Sequence, residues 1–296
     1  MLLETQMYAE VSGARLFFDT EGPEWEESGP ELRRRPTLLI LHGGPGIDHS
    51  PYRQLGRAVS DRLHVVYLDH RANGRSETGD RRGLTLDGWA EDIHGFVAAL
   101  GLHRPIVLGH SFGGYVAQAY AAAHPDQPGA LILAGTAPRF VLERALAAFE
   151  RLGGAAAADT ASRFFRRPAE HFPEYMERCY PLYGRTAPGP QMVARMVMNL
   201  QVADSFVGGE MQTFDLRDRL ARITAPVLIL SAADDVIATP ADVAELKEHL
   251  RAPCTEARFD AGHEMLRDEP ARAAAVIRGF ALDVAGPQAG APAGRP

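Results

Sequence analysis

Residues 107–114, VLGHSFGG, are the stretch whose reading decides the fold. A serine stands between glycines, directly after an apolar run (PIVLG, 105–109) and directly before a helical one (GYVAQAYAAAHP, 114–125). A strand, a tight turn and a helix around G-x-S-x-G form a nucleophile elbow. Such a turn holds the serine backbone in a strained conformation, and a side chain at 109 or 113 would collide with the neighbouring strand or helix. In return the Ser111 hydroxyl stands at the carboxyl end of a sheet, where open α/β folds bind ligands.

Working outward from the elbow, similar apolar runs recur: TLLILHG (37–43), LHVVYLDH (63–70), ALILAG (130–135) and PVLILSAA (226–233), with CTEARFDA (254–261) as a weaker one. Continuous rather than alternating apolarity is the mark of strands buried on both faces. Helical patterns separate them, at 84–101, 114–125, 239–250 and 269–284, with Thr239 as the expected N-cap and Pro240 at the first helical position of the third. MYAEVSGARLFFDT (7–20) reads as a hairpin around Ser12-Gly13, followed by a charged loop up to Pro36. Strands alternating with helices give a mainly parallel, doubly wound α/β sheet. From 138 to 219 no strand-like run occurs, only helical stretches rich in Ala, Arg and aromatics, which reads as an inserted helical lid. The expected organisation is a discontinuous core (1–137 and 220–285), a lid (138–219) and a low-complexity, disordered tail (286–296).

Composition narrows the function classes. The net charge of −7 supplies no basic stripe for nucleic acid. No run approaches eighteen apolar residues, so no membrane span is expected. MLLETQMYAE lacks the basic and apolar regions of a signal peptide. The two cysteines, Cys179 and Cys254, make neither a disulfide framework nor a metal site, so a reducing cytoplasm is the expected compartment and no metal is expected. No G-x-x-x-x-G-K-[ST] is present, and the single lysine, Lys247, is remote from the glycine-rich loop HGGPG (42–46), so neither a nucleotide nor another cofactor is implied.

A serine hydroxyl needs a base, and the base needs an orienter. After an elbow the chain order is serine, acid, histidine. FDAGHEM places His263 on a loop after the last candidate strand, whereas the other late histidine, His249, falls mid-helix. PVLILSAADDV ends in adjacent carboxylates, Asp234 and Asp235, either of which suits the acid. Acyl transfer also needs two N–H groups aimed at the developing oxyanion. Phe112, after the serine, supplies one, and Gly44 of HGGPG is the candidate for the other because glycine lets a backbone approach closely.

With HGGPG, LDHRANGRS (68–76), GHSFGG (109–114), the acid loop and DAGH (260–263) in place, the chain resembles the α/β-hydrolase superfamily over residues 42–263. Within it the sequence is most similar to the proline iminopeptidase group of serine peptidases. That resemblance implies an acid nine residues beyond the proline opening its strand, which from Pro226 selects Asp235. The chain departs from the group's pattern at His70 (in place of Gln), Ala72 (in place of Gly) and His110 (in place of Gly). The group captures a substrate's free ammonium with lid carboxylates, helped by an acid directly after the catalytic one, where this chain has Val236. Asp204 and Glu210 are the candidates for lid carboxylates, with an ordinary surface position as the competing reading. Lid aromatics, Phe164 and Tyr183 among them, are candidates for an acyl pocket or for the lid's own core.

The expectation is a serine hydrolase acting through an acyl-enzyme on a small, mostly apolar amide or ester, either a small molecule or a short peptide losing its N-terminal residue. A carboxylesterase or lactonase with no need of a free amine is the alternative, and a non-catalytic ligand-binding protein is a third.

Overall fold

The structure, a computed structural model, describes residues 7–286; the first six residues and the low-complexity tail from 287 onward lie outside the described residues. Ten strands occur: β1 (Tyr8–Val11), β2 (Ala14–Glu21), β3 (Trp25–Ser28), β4 (Glu31–Arg34), β5 (Thr37–Leu41), β6 (His64–Leu68), β7 (Ile106–His110), β8 (Ala130–Ala134), β9 (Val227–Ala232) and β10 (Cys254–Phe259). The helices are α1 (Arg53–Val59), α2 (Leu86–Ala99), α3 (Phe112–Ala123), α4 (Leu142–Arg166), α5 (Pro168–Arg178), α6 (Pro190–Arg195), α7 (Leu200–Val207), α8 (Arg217–Leu220), α9 (Pro240–His249), α10 (Met265–Asp268) and α11 (Pro270–Ala285).

Eight strands form one sheet in the order β1-β2-β6-β5-β7-β8-β9-β10. β1 and β2 are antiparallel, and from β6 to β10 all neighbours run parallel. The apolar runs are continuous because the sheet has two covered faces. Along β5, Leu39 and Leu41 point to the layer holding Trp89 and Phe96 of α2 and Tyr115 of α3. Leu38 and Ile40 point to the opposite layer, with Leu55 of α1 and Ile277 of α11. The β1–β2 turn places Ser12 and Gly13 at φ 47° and 75°, the left-handed pair that a two-residue hairpin with matching twist requires. At α9, the Thr239 N–H donates to Asp242 at 2.9 Å, closing a capping box.

Two local features differ from the sequence reading or sharpen it. The stretch up to Pro36, expected as a charged loop, contains the separate hairpin β3–β4. It is solvated and held by cross-strand pairs, with the Arg34 guanidinium 5.0 Å from the centre of its partner Trp25's ring and an Arg34–Glu24 ion pair at 3.0 Å. Such strands bury no face, so no apolar period marks them. β10, the weak candidate, is the edge strand: it pairs only with β9 and is exposed over most of its length. Between β8 and β9 every element is helical, from α4, kinked at Gly154 (φ 77°, ψ 178°), to α8.

Candidate active site

Ser111 lies between the end of β7 and the start of α3 with φ 53° and ψ −118°, a strained conformation for a residue with a side chain. Packing explains why glycines flank it. A Cβ on Gly113 would come within 2.2 Å of the Leu41 carbonyl oxygen, and one on Gly109 within 2.4 Å of the Gly113 carbonyl oxygen. Both obstacles are backbone, which cannot rotate away. Gly113→Ala is therefore expected to lose about 3 kcal/mol of stability, the upper end of the overpacking range; urea unfolding measures it, and a change within experimental error would contradict this packing argument.

The loops after β9 and β10 bring two more side chains to the serine. His263 Nε2 is 2.9 Å from Ser111 Oγ, and His263 Nδ1 is 2.9 and 3.0 Å from the two carboxylate oxygens of Asp235. With Nδ1–H donating to the carboxylate, Nε2 of the neutral ring is left to accept the serine proton. Asp235 is 1 % exposed, and its Oδ1 also accepts the N–H groups of Ile237 and Ala238, both at 2.8 Å. Its neighbour Asp234 instead points outward and pairs with Arg151 at 2.9 Å. Burial pulls the His263 pKa down, but the charge and hydrogen bond of Asp235, with Glu264 adding, more than offset it and hold the imidazole above its ordinary value.

The HGGPG loop follows β5. The Gly43 N–H is already committed to the Tyr52 hydroxyl at 2.7 Å. Gly44, at φ 58°, and Phe112 have no acceptor for their N–H groups among the described residues. A buried chain of polar groups ties this loop to the base. Tyr52 Oη is 2.7 Å from His110 Nδ1, and His110 Nε2 is 3.1 Å from the His263 carbonyl oxygen. A carbonyl only accepts, so His110 carries its proton on Nε2, and its Nδ1 accepts from the tyrosine hydroxyl. Burial first, then the neighbouring His263, keeps the His110 pKa below its ordinary value, so the ring serves as a neutral link. Position 110 was visible in the sequence only as a departure from a family pattern, and nothing in the sequence marks Tyr52. Tyr52→Phe leaves the Gly43 N–H and His110 Nδ1 unpaired, so a loss of about 1–3 kcal/mol is expected, as for buried groups without partners. Urea unfolding checks this, and unchanged stability would count against the link.

The remaining candidates are distributed differently. The Tyr183 ring stands edge-on to His263, 5.2 Å between centres and 88° between planes, and its hydroxyl is 2.5 Å from that of Tyr175. Phe164 stacks on Tyr175 at 3.8 Å and 19°, inside the insertion's own aromatic cluster. Asp204 is exposed and accepts the Ala169 N–H at 3.0 Å, near the start of α5. Glu210 accepts the Leu86 N–H at 2.9 Å, at the start of α2, where burial raises its pKa. The structure thus brings the Tyr183 ring against His263 and gives both carboxylates hydrogen bonds at helix starts. His70 packs edge-on against the Phe112 ring at 5.3 Å, with its ring nitrogens buried and without partners among the described residues.

Comparison with known proteins places this geometry in context. The family model described as alpha/beta hydrolase fold matches residues 36–270. The chain is 26 % identical over 247 residues to the proline iminopeptidase PfmaB of Pestalotiopsis fici, covering 79 % of this chain and 84 % of the relative. It is 29 % identical over 214 residues to a putative carbamate hydrolase, RutD, of Cronobacter turicensis, covering 68 % and 74 %. The crystal structure of proline iminopeptidase from Mycobacterium smegmatis superposes with a TM-score of 0.74 at 22 % identity, covering 95 % of this chain and 98 % of that one, a likeness of fold. Among the described residues no helix is long and apolar enough to cross a membrane. Elbow, sheet order and family match agree: the chain belongs to the α/β-hydrolase fold family.

Proposed function

We propose that the protein is a serine hydrolase in which Ser111, His263 and Asp235 form the catalytic triad. The observation that carries this reading is the unbroken hydrogen-bond path from Ser111 Oγ through both nitrogens of His263 to the Asp235 carboxylate. In the proposed cycle Ser111 Oγ attacks the substrate carbonyl carbon while His263 Nε2 takes the hydroxyl proton. The oxyanion that forms is held by the Phe112 and Gly44 N–H groups, donors already in position before charge develops. Collapse of the tetrahedral intermediate breaks the bond to the leaving amine or alcohol, which takes the proton from His263. An acyl-serine remains. Water then attacks it, giving its proton to His263, and a second collapse releases the acid and returns the proton to Ser111. Asp235 keeps Nδ1 protonated and stabilises the transient imidazolium.

The substrate class proposed is a small, mostly apolar ester or amide whose acyl part lies under the Tyr183 ring. Asp204 and Glu210 each accept a backbone N–H at a helix start and neither is hydrogen-bonded to Ser111 or His263 among the described residues, which favours a substrate without a free amine. Similarity to an iminopeptidase supports the opposite reading, release of an N-terminal proline. A fluorophosphonate probe followed by peptide mapping tests the shared chemistry: one label per chain, on Ser111, is expected, and folded protein that stays unlabelled would refute it. Turnover of p-nitrophenyl acetate against proline naphthylamide separates the substrate readings, the ester alone being the expected substrate.

A further inference from the structure

A cavity of about 360 Å³ opens on the β2–β6 side of the sheet and has a wall unlike the rest of this acidic protein. Four arginines line it: Arg53 and Arg57 from α1, Arg75 from the loop after β6, and Arg195 from the end of α6, with Phe17, His49 and Ser50 completing the surface. Three of the arginines are anchored from behind. Arg53 pairs with Asp19, Arg57 with Glu21 at 3.3 Å and Arg75 with Asp48 at 2.5 Å. None of these carboxylates lines the cavity. Asp69, outside the lining, lies 2.7 Å from the His49 ring nitrogen and 3.9 Å from the Arg75 guanidinium. Arg195 has no carboxylate within ion-pair distance among the described residues.

Each arginine carries five N–H donors in a fixed fork, and the anchoring partners, one carboxylate each for Arg53 and Arg57 and two carboxylates with the Arg195 carbonyl oxygen for Arg75, do not exhaust them. Aromatic faces hold two of the forks further: Arg53 lies 5.3 Å from the Tyr67 ring centre and Arg75 5.5 Å from that of Phe17. The Arg53 and Arg75 donors are therefore held in place before a ligand arrives, which lowers the ordering cost of binding. Burial pushes the Arg53 guanidinium below its ordinary pKa, and the neighbouring cations Arg57, Arg75 and Arg195 add to this against the pull of Tyr67.

We propose that this cavity is a binding site for the phosphate group of a small molecule, clamped between the core arginines Arg53, Arg57 and Arg75 and the insertion's Arg195. Forks converging from separate elements match a tetrahedral acceptor with three terminal oxygens better than a planar carboxylate with two. The volume exceeds that of a bare phosphate, and Phe17 supplies an apolar wall for the rest of the molecule. The inference stands on the cavity alone and is independent of the hydrolase chemistry proposed above.

Isothermal titration calorimetry of the full chain with inorganic phosphate, phenyl phosphate and benzoate, at low and high salt, tests it. Phosphate and phenyl phosphate are expected to bind, the ester more tightly, with affinity falling as salt rises, while benzoate binds at least tenfold more weakly. Arg57→Gln and Arg195→Gln are each expected to weaken phenyl phosphate about tenfold, the loss of one charge-assisted contact. Arg33→Gln, on the remote β3–β4 hairpin, is expected to leave affinity unchanged. Absence of binding by either phosphate, equal binding of benzoate, wild-type affinity in both cavity variants, or an equal loss in Arg33→Gln would overturn the proposal. Arg195 is exposed and forms no ion pair among the described residues, so its variant tests binding without endangering the fold.

Discussion

Ser111→Ala is expected to lower kcat on p-nitrophenyl acetate by about 10⁵- to 10⁶-fold, the scale seen when a triad nucleophile is removed. In the proposed cycle the Ser111 hydroxyl is the group that forms the covalent bond. Ser111 is only partly buried, while the groups that hold it, Gly109, Gly113 and the buried His263, are retained in the variant. The fold should therefore survive, with its urea midpoint near that of the wild type. Residual turnover comes from the oxyanion donors and substrate binding, which persist without the nucleophile. Fluorophosphonate labelling should vanish in the same variant. Turnover within tenfold of the wild type would exclude Ser111 as the nucleophile.

Asp235→Asn carries the second large effect and separates two neighbouring carboxylates. In the wild type the carboxylate accepts Nδ1–H and leaves Nε2 free to take a proton. An amide can present its NH₂ to Nδ1 instead, which favours the wrong tautomer, and a kcat loss of about 10⁴-fold is expected. Asp234→Asn removes only outward pairs with Arg151 and Arg185, both about half exposed, so kcat should change by less than about twofold. The pH profile gives an independent reading. In the proposed cycle the base works only as the neutral imidazole, so kcat/KM is expected to rise with pH through the pKa of His263, which lies above its ordinary value. Asp235 is what raises it against burial, so in Asp235→Asn the rising limb should move to lower pH while the plateau falls. Equal losses in the two asparagine variants, or a limb that stays in place, would show that Asp235 does not orient this histidine.

The residues that the structure gathers were legible to different depths. Ser111 and His263 stood out because each sits in a glycine-marked loop at the end of an apolar run. The choice between Asp234 and Asp235 was open on the residues themselves, and only a family spacing favoured one. Both follow the same strand and have the same chemistry. What separates them is a side-chain direction, inward to His263 or outward to Arg151, that composition does not encode. The β3–β4 hairpin escaped notice because its strands pack no face and so leave no apolar period. Tyr52 and His110 form a link whose ends, Gly43 and His263, are far apart in the chain.

Local sequence determined the elements and their order, because burial on two faces demands uninterrupted apolar strands and packing around the elbow tolerates nothing larger than glycine at positions 109 and 113. The tertiary structure decided that Tyr52 and His110 link the 42–46 loop to His263, that Asp234 turns outward to Arg151, and that arginines 53, 57, 75 and 195 share one cavity. Those outcomes depend on ångström-scale placement of segments distant along the chain, and hydrogen bonds and ion pairs form or fail over just such distances.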